Sequence, residues 1–543
     1  MRSRKTSDRP GILIGALIGA FLTAPLIAVF YLAWTLFGAP FVPFNVFDWT
    51  SRALPGAVLT VGIDSMVKLI HLLRLGDTAS AAKTAEQTIA IVVFLVAGIV
   101  AGVLFFAVVR AWRARSYPTG LVMGAVAGAL TLLIIKSLAQ PAVANPVFGS
   151  LWVLSAFLLW GAAFAWAHDR LSAIGAPARA DQVNRVEVER VDRRRFVVRV
   201  GSAAAVITVV GAGVGALVAN RRRRGVAESE QQVANISLPN AQAPVKPAPG
   251  TRPELTPLDR HYRIDVDTVP PAIDEASWRL KVSGLVERPL ELTLEEIRRY
   301  ERMEQFVTLS CISNPIAGDL TGTALWTGVS LKRLVPDLHV QSNATHLKIR
   351  SADGFFETIA LDAINSDERV MLTYAWDGVP LLTAHGFPLR IYIPDRYGMK
   401  QPKWIVSIEA TDRSDDGYWV TRGWDREARM KATSVIDTIA VDMMIGEATR
   451  ETLVPVGGIA HAGARGISKV EVQVDGGEWR EAQLRTPLSG LTWVVWRYDW
   501  PFEKGKHTFT VRCFDGSGRA QIVEESPPHP SGASGLHSQS SML

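Results

Sequence analysis

Apolar residues are spread unevenly along this chain. Before residue 221 they gather into five blocks, at 11–37, 89–109, 121–139, 147–167 and 200–220. Each is close to the ~20 residues that carry an α-helix across ~30 Å of hydrocarbon. The block at 121–139 holds Lys136 near one end, where its amine can snorkel to the interface. The stretch 54–75 is less apolar and carries Asp64, Lys68, His71 and Arg74, a pattern that predicts an amphipathic surface helix. Beyond residue 257 the apolar runs shorten to strand length, as at 278–282 and 347–350. A helix is predicted at 293–302, with Thr293 as N-cap and Glu296 closing a capping box. Strands and helices mix there without βαβ alternation, which favours an α+β domain. From about 440, alternating runs at 466–474, 490–500 and 505–514 are separated by Asp475-Gly476-Gly477 and Glu503-Lys504-Gly505. That pattern predicts a small β-sandwich of immunoglobulin type.

The 543 residues therefore divide into a multi-domain chain. A four-span α-helical membrane region occupies 1–175, and a basic segment with a fifth membrane helix occupies 176–225. A Pro/Ala-rich linker at 226–257 reads as an extended tether. The α+β domain follows at 258–438, the sandwich at 439–526, and a Ser/Pro/Gly/His-rich tail expected to be disordered at 527–543. A hydrophobic share of 48 % averages two unlike halves. The net charge of +6 is accounted for by arginines flanking the spans, so it does not indicate a nucleic-acid surface.

Arginines also set the orientation. Arg2 and Arg4, then Arg110, Arg113 and Arg115, then the arginines of 168–199 fall on one side of five spans, which is therefore cytoplasmic. The large polar region lies on the opposite, extracytoplasmic side, although Arg221–Arg224 run against the rule. Asp192-Arg193-Arg194-Arg195-Phe196 before an Ala/Gly-rich helix resembles a twin-arginine export signal, here retained as an anchor. Gly211, Gly213 and Gly215 in that helix suit helix packing, because no strand precedes them as a nucleotide loop requires. His71 and His168 lie outside the spans, which argues against a paired-histidine haem between helices.

Cys311 and Cys513 are the only cysteines. No CxxC or Cys/His cluster surrounds Cys311, which leaves an inert buried thiol, a reactive nucleophile, or a ligand to a metal carried by a cofactor. Cys513 sits in an alternating strand and is expected to be structural. Downstream of Cys311 come His385-Gly386-Phe387-Pro388-Leu389-Arg390 and Tyr397-Gly398-Met399-Lys400-Gln401-Pro402-Lys403. A thiol with several cations and no matching carboxylates suits a phosphorylated or oxyanionic ligand beside a soft metal.

In this order, with Trp326-Thr327-Gly328-Val329 and Asp377-Gly378, these segments resemble the sulfite oxidase family of molybdenum enzymes over about 256–525. The resemblance implies molybdenum-molybdopterin (Mo-MPT) as cofactor and Cys311 as the metal ligand, its thiolate favoured by nearby cations. It further implies cofactor contacts from Tyr262, Arg263, Ser351, Asp353, His385, Arg390, Lys400, Gln401 and Lys403. Trp424 falls near a substrate-pocket tyrosine of animal-type members and is expected to be catalytic. Those members carry paired arginines after the cysteine, whereas this chain has Ile312-Ser313-Asn314-Pro315-Ile316-Ala317.

An aromatic, less cationic pocket weakens sulfite as the substrate and suits a neutral S-oxide or N-oxide at least as well. The expectation is a membrane-anchored oxidoreductase catalysing two-electron oxygen-atom transfer. No haem-binding or flavin domain is recognised, so electrons are expected to pass through a quinone, a cytochrome or a membrane redox protein. The sandwich resembles the family's dimerisation module and points to a homodimer. The contrasting reading is a non-catalytic cell-envelope protein on the same scaffold.

Overall fold

The computed structural model describes residues 11–56, parts of 58–70, and 78–138, 146–173, 195–214, 236–441 and 452–543. They fall into two compact units.

The first unit is helical. Its long helices are α1 (Ile12–Phe37), α3 (Thr78–Trp112, of which the unit holds Lys83 onward), α4 (Ser116–Ser137), α5 (Pro146–Ala173) and α6 (Arg195–Val214), with the short α2 (Val42–Ala53) between α1 and α3. All five long helices are apolar and long enough to cross a membrane. The protein is accordingly membrane-associated. α3 begins eleven residues before the apolar block that announces it. The Ala-rich run 79–85 favours helix and continues it beyond the apolar block. Glycines set the packing: Gly15 and Gly19 of α1 face the Gly98 and Gly102 carbonyls of α3, and Gly120 of α4 faces Gly161 of α5. A Cβ at these positions would collide with the opposing backbone, so small residues allow the close crossings. Most of the 54–75 segment lies outside the described residues, as do 192–194 of the export-type signal and 221–224.

In the second unit, the α+β portion contains two sheets. The mixed sheet has the order β2 (Leu290–Leu292), β1 (Leu280–Gly284), β10 (Ile405–Thr411), β5 (His346–Ser351), β6 (Phe356–Ala360), with β1 and β10 parallel. The other runs β3 (Arg302–Ser310), β4 (Thr321–Ser330), β7 (Met371–Trp376), β8 (Val379–Pro380), and β9 (Arg390–Tyr392) pairs with β7. Leu280, Val282, Leu347, Ile349, Leu372, Ile391 and Ile408 form the main core. The expected capping box at Thr293 and Glu296 is present, but its helix, α7, covers only Leu294–Arg298, because Arg302 already starts β3. Two further short helices, α8 (Leu331–Leu334) and α9 (Leu361–Ser366), cap sheet ends.

The C-terminal portion pairs two four-stranded antiparallel sheets. One is β11 (Thr433–Ile439), β12 (Leu453–His461), β16 (Val494–Pro501), β15 (Gln483–Leu484), and the other is β14 (Arg480–Glu481), β13 (Ile467–Val474), β17 (Lys506–Asp515), β18 (His537–Met542). Val456, Trp496, Val472 and Phe509 join both sheets in one core. Cys513 is fully buried there, donates to Gln521 Oε1 at 3.3 Å, and is pushed up to about 12 by burial. It is a packing residue.

Two sequence expectations are corrected here. The tail expected to be disordered supplies β18, which pairs with the exposed edge of β17. Thr508 and Thr510 bond Ser540 and Ser538 at 2.8 Å, so hydroxyl pairs do what apolar residues would do on a buried face. The linker is not a free tether from residue 236 onward. Arg485 donates to the carbonyls of Asn240 and Val245 and to Glu254, and Arg252 grips Asp437 in a bidentate pair. A Pro/Ala-rich segment has little apolar side chain to pack, but its free carbonyls are good acceptors for a buried arginine.

Candidate active site

Cys311 opens the ten-residue connection between β3 and β4. Its backbone N–H donates to the Leu320 carbonyl at 2.9 Å, and Asn314 Oδ1 accepts from the Leu320 N–H at 2.9 Å. The Asn314 N–H in turn donates to the Cys311 carbonyl at 3.2 Å. These bonds close the loop on itself and hold the thiol against the sheet end. Sγ lies 3.0 Å from Ser313 Oγ, and the residue is buried. Burial pushes the thiol up, with the Ser313 hydrogen bonds and the Lys403 charge offsetting only part of the rise. The expected depression by neighbouring cations is therefore corrected: the loss of water outweighs them.

A second group of side chains surrounds Arg390. Trp326 of β4 and Trp376 of β7 are direct cross-strand partners, and the Arg390 guanidinium lies 4.5 Å and 4.9 Å from their ring centroids. β9 pairs with β7 and delivers Arg390 between the rings, and Nη1 donates to the His385 carbonyl at 2.9 Å. His385 and His261 approach at 5.7 Å, and both contact Trp376. Burial and the surrounding cations hold His261 down at about 3 and His385 well below its usual range, so both rings are neutral. Burial lowers Arg390 to about 10.

Lys403 completes the group. Its amine bonds Asp265 and the Ile264 carbonyl (3.1 Å to the latter) and lies over the Trp404 ring. Burial lowers Lys403 to about 8 despite Asp265. Arg263 shares the same carboxylate. Three cations thus face one carboxylate. Arg263 Nη2, Arg390 Nε, His261 Nε2 and Ser351 Oγ are buried without a hydrogen-bond partner among the described residues. Leaving such atoms unpaired costs about 1–3 kcal/mol each, more when charged. The arrangement favours an anionic ligand with many acceptors.

The other expected residues fall as follows. Tyr262 is buried between these two groups, raised by burial and by Cys311 and lowered by Arg390. Ser351 and Asp353 form a tight turn after β5, where Asp353 accepts from the Phe355 N–H at 3.0 Å and the Ala352 N–H donates to the Trp404 carbonyl. Lys400 does not join the cations. It is paired with buried Glu357 at 2.7 Å, a partner 43 residues upstream that sequence spacing does not bring into view. Gln401 donates to the Ile393 and Arg396 carbonyls and braces its own loop. Trp424 packs with Ile312, Tyr397 and Met430, but it does not line the cleft beside Cys311.

Sequence reasoning passed over His261, Asp265 and His461. His261 lies inside the stretch already singled out around Tyr262 and Arg263, whereas His461 has no local signal at all. Among the described residues, no group of three or more His, Cys, Asp or Glu side chains could hold a metal ion. A metal here would need ligands from a cofactor.

Residues 267–419 match the oxidoreductase molybdopterin binding domain. The chain is 30 % identical over 156 residues to the uncharacterized oxidoreductase YuiH of Bacillus subtilis (strain 168), covering 29 % of this chain and 76 % of that protein. It is 25 % identical over 285 residues to the sulfite oxidase of Arabidopsis thaliana, covering 44 % and 72 %. It is also 28 % identical over 188 residues to YedZ1 of Azospira oryzae, provisionally named a protein-methionine-sulfoxide reductase subunit, covering 34 % and 68 %.

Proposed function

Because this chain belongs to the sulfite oxidase family of molybdopterin-dependent oxidoreductases, we propose that it transfers an oxygen atom at a molybdenum held by Cys311, on a small uncharged S-oxide or N-oxide. It is an enzyme of the molybdopterin class and uses molybdenum-molybdopterin. The residues present fit that group. The excess of positive charge around Asp265 and the unpaired Arg263, Arg390, His261 and Ser351 atoms match an anionic, acceptor-rich pterin phosphate. When bound, the cofactor supplies the redox-active metal and the two-electron chemistry. Cys311 supplies a thiolate, which a bound metal stabilises strongly enough to overcome the cost of burying it. Arg390, locked between Trp326 and Trp376, holds a fixed charge in a dry site, and neutral His261 and His385 offer hydrogen bonds without adding repulsion.

One observation carries the substrate. The cleft beside Cys311 is walled in part by Pro315, Ile316, Ala317, Met430 and Ile459, and among the described residues its one cation, Arg252, is committed to Asp437. A sulfite dianion would find no unpaired positive charge on that wall, whereas a neutral oxide leaves nothing unmatched. The name of the Azospira oryzae relative points the same way. The arginine clusters that fall on one side of five candidate spans support a catalytic unit on the opposite side, outside the cytoplasmic membrane. The electron donor is a quinone, a cytochrome or a membrane redox protein, and the C-terminal sheets form a homodimer interface.

The test is made on the detergent-solubilised full-length protein. About one molybdenum per chain is expected. Reduced viologen should be oxidised with methionine sulfoxide, dimethyl sulfoxide or trimethylamine N-oxide, consuming two electrons and two protons per oxygen released as water. Ferricyanide reduction by sulfite, with no response to any oxide, would overturn the substrate. Protein purified without molybdenum and resistant to reconstitution would overturn the whole reading.

A further inference from the structure

His461 ends β12, in the C-terminal double sheet, and it lines the same cleft as Cys311. It is 5 % exposed, and among the described residues neither ring nitrogen has a hydrogen-bond partner. The Leu491 backbone lies near enough to favour protonation of one nitrogen weakly, without the geometry of a hydrogen bond. Whichever nitrogen is turned that way, the other is left unmatched. A polar ring buried in this state costs stability unless something else satisfies it. No catalytic role described above uses it.

We propose that His461 binds the oxygen of the uncharged oxide, as a hydrogen-bond donor brought to the molybdopterin domain by the C-terminal double sheet. This rests on the reading that the chain turns over S- or N-oxides. Three features support it. The first is polarity. Pro315, Ile316, Met430 and Ile459 give part of the cleft an apolar surface suited to the alkyl part of a thioether oxide, and His461 is a polar group there with spare capacity. The second is charge. Burial and nearby Arg465 hold the imidazole down at about 4, so it meets the ligand as a neutral donor, which suits a dipolar oxide and not an anion. Arg465 is itself occupied by Asp395, Asp515 and the Met430 carbonyl.

The third feature is rigidity. The Thr308 N–H donates to the Leu491 carbonyl at 3.0 Å, and the Trp493 N–H donates to Thr308 Oγ1 at 2.9 Å. Ser489 Oγ donates to the Phe306 carbonyl at 2.6 Å. These bonds tie β3, the strand that carries Cys311 at its end, to the loop beside His461. A ligand anchored by His461 is thereby held at a set position relative to the thiol.

The test uses molybdenum-loaded full-length protein in detergent and three variants, His461→Leu, His461→Gln and His461→Asn. Binding of dimethyl sulfoxide to the oxidised protein, which has no electrons to spend on it, is read by ligand-observed NMR. Turnover is read with reduced viologen, and molybdenum content is read by elemental analysis. His461→Leu should weaken dimethyl sulfoxide binding and raise its KM about tenfold, with kcat within about threefold and molybdenum unchanged. His461→Gln, which keeps an N–H donor, should recover most of the binding. Wild-type affinity and KM in His461→Leu, beside an active wild type, overturn the proposal and leave the proposed function standing. Should the leucine variant not fold, equal loss of binding in the folded Gln and Asn variants overturns it as well. A wild type that neither binds nor reduces any oxide removes the underlying reading first.

Discussion

Cys311 separates two surroundings of opposite character. On one side, Arg263, Arg390 and Lys403 crowd one carboxylate, Asp265, amid Trp326, Trp376, His261 and His385, with polar atoms left unpaired. On the other, Pro315, Ile316, Met430 and Ile459 help line a cleft whose one arginine among the described residues is neutralised by Asp437. Buried cations that outnumber their one carboxylate destabilise the bare protein, so their concentration on one side favours an anion there. The apolar wall marks where charge is unwelcome. Under the proposed function the two sides divide the work, with the cofactor's negative charge held by one and a neutral substrate admitted by the other.

Three substitutions bear on that division, from the largest expected effect to the smallest. Cys311→Ser sits at the boundary and should abolish oxide reduction, by about a thousandfold or more, since an alcohol is a poor donor to a soft metal. Thermal unfolding should move by no more than about 1 kcal/mol, because the loop is held by its backbone bonds. Retained turnover would remove Cys311 from the centre.

Arg390→Met keeps an apolar chain between the two tryptophans and deletes the charge. Molybdenum and pterin content should fall about tenfold or more, while the cofactor-free protein becomes more stable by about 1–4 kcal/mol. Differential scanning fluorimetry beside elemental analysis reads both. A stability loss together with full cofactor content would mean that the arginine is structural. Ile316→Arg places a cation on the neutral wall. It should lower the KM for sulfite about tenfold in the ferricyanide assay and raise that for dimethyl sulfoxide severalfold. No change in either would show that the wall does not select the substrate.

Legibility differed by element for physical reasons. The five spans were evident because a bilayer demands a continuous apolar length, while the true start of α3 at Thr78 was not, because helix propensity in an Ala-rich run leaves no apolar mark. The strands β13, β16 and β17 followed their alternation. β18 did not, since its pairing rests on serine and threonine hydroxyls that look like a tail. Among site residues, His385, Arg390 and Lys403 are legible because they stand close in sequence, before, within and after β9. Lys400, in the same run, was read as another cofactor cation, yet Glu357 claims its charge across the fold. Trp424 was placed in the substrate pocket by analogy, but the structure turns Tyr397 and Met430 to the cleft in its place.

The sequence by itself determined that this chain enters a membrane, that a mixed α+β domain follows, and that one cysteine with a cationic run invites a metal cofactor. These depend on local composition, periodicity and order, which the chain carries without folding. Only the tertiary structure decided which charges remain unpaired, that two cross-strand tryptophans enclose Arg390, and that His461, 150 residues beyond Cys311, faces the same cleft. Pairing and burial are properties of neighbours in space, and β-sheets bring together residues that sequence distance keeps apart.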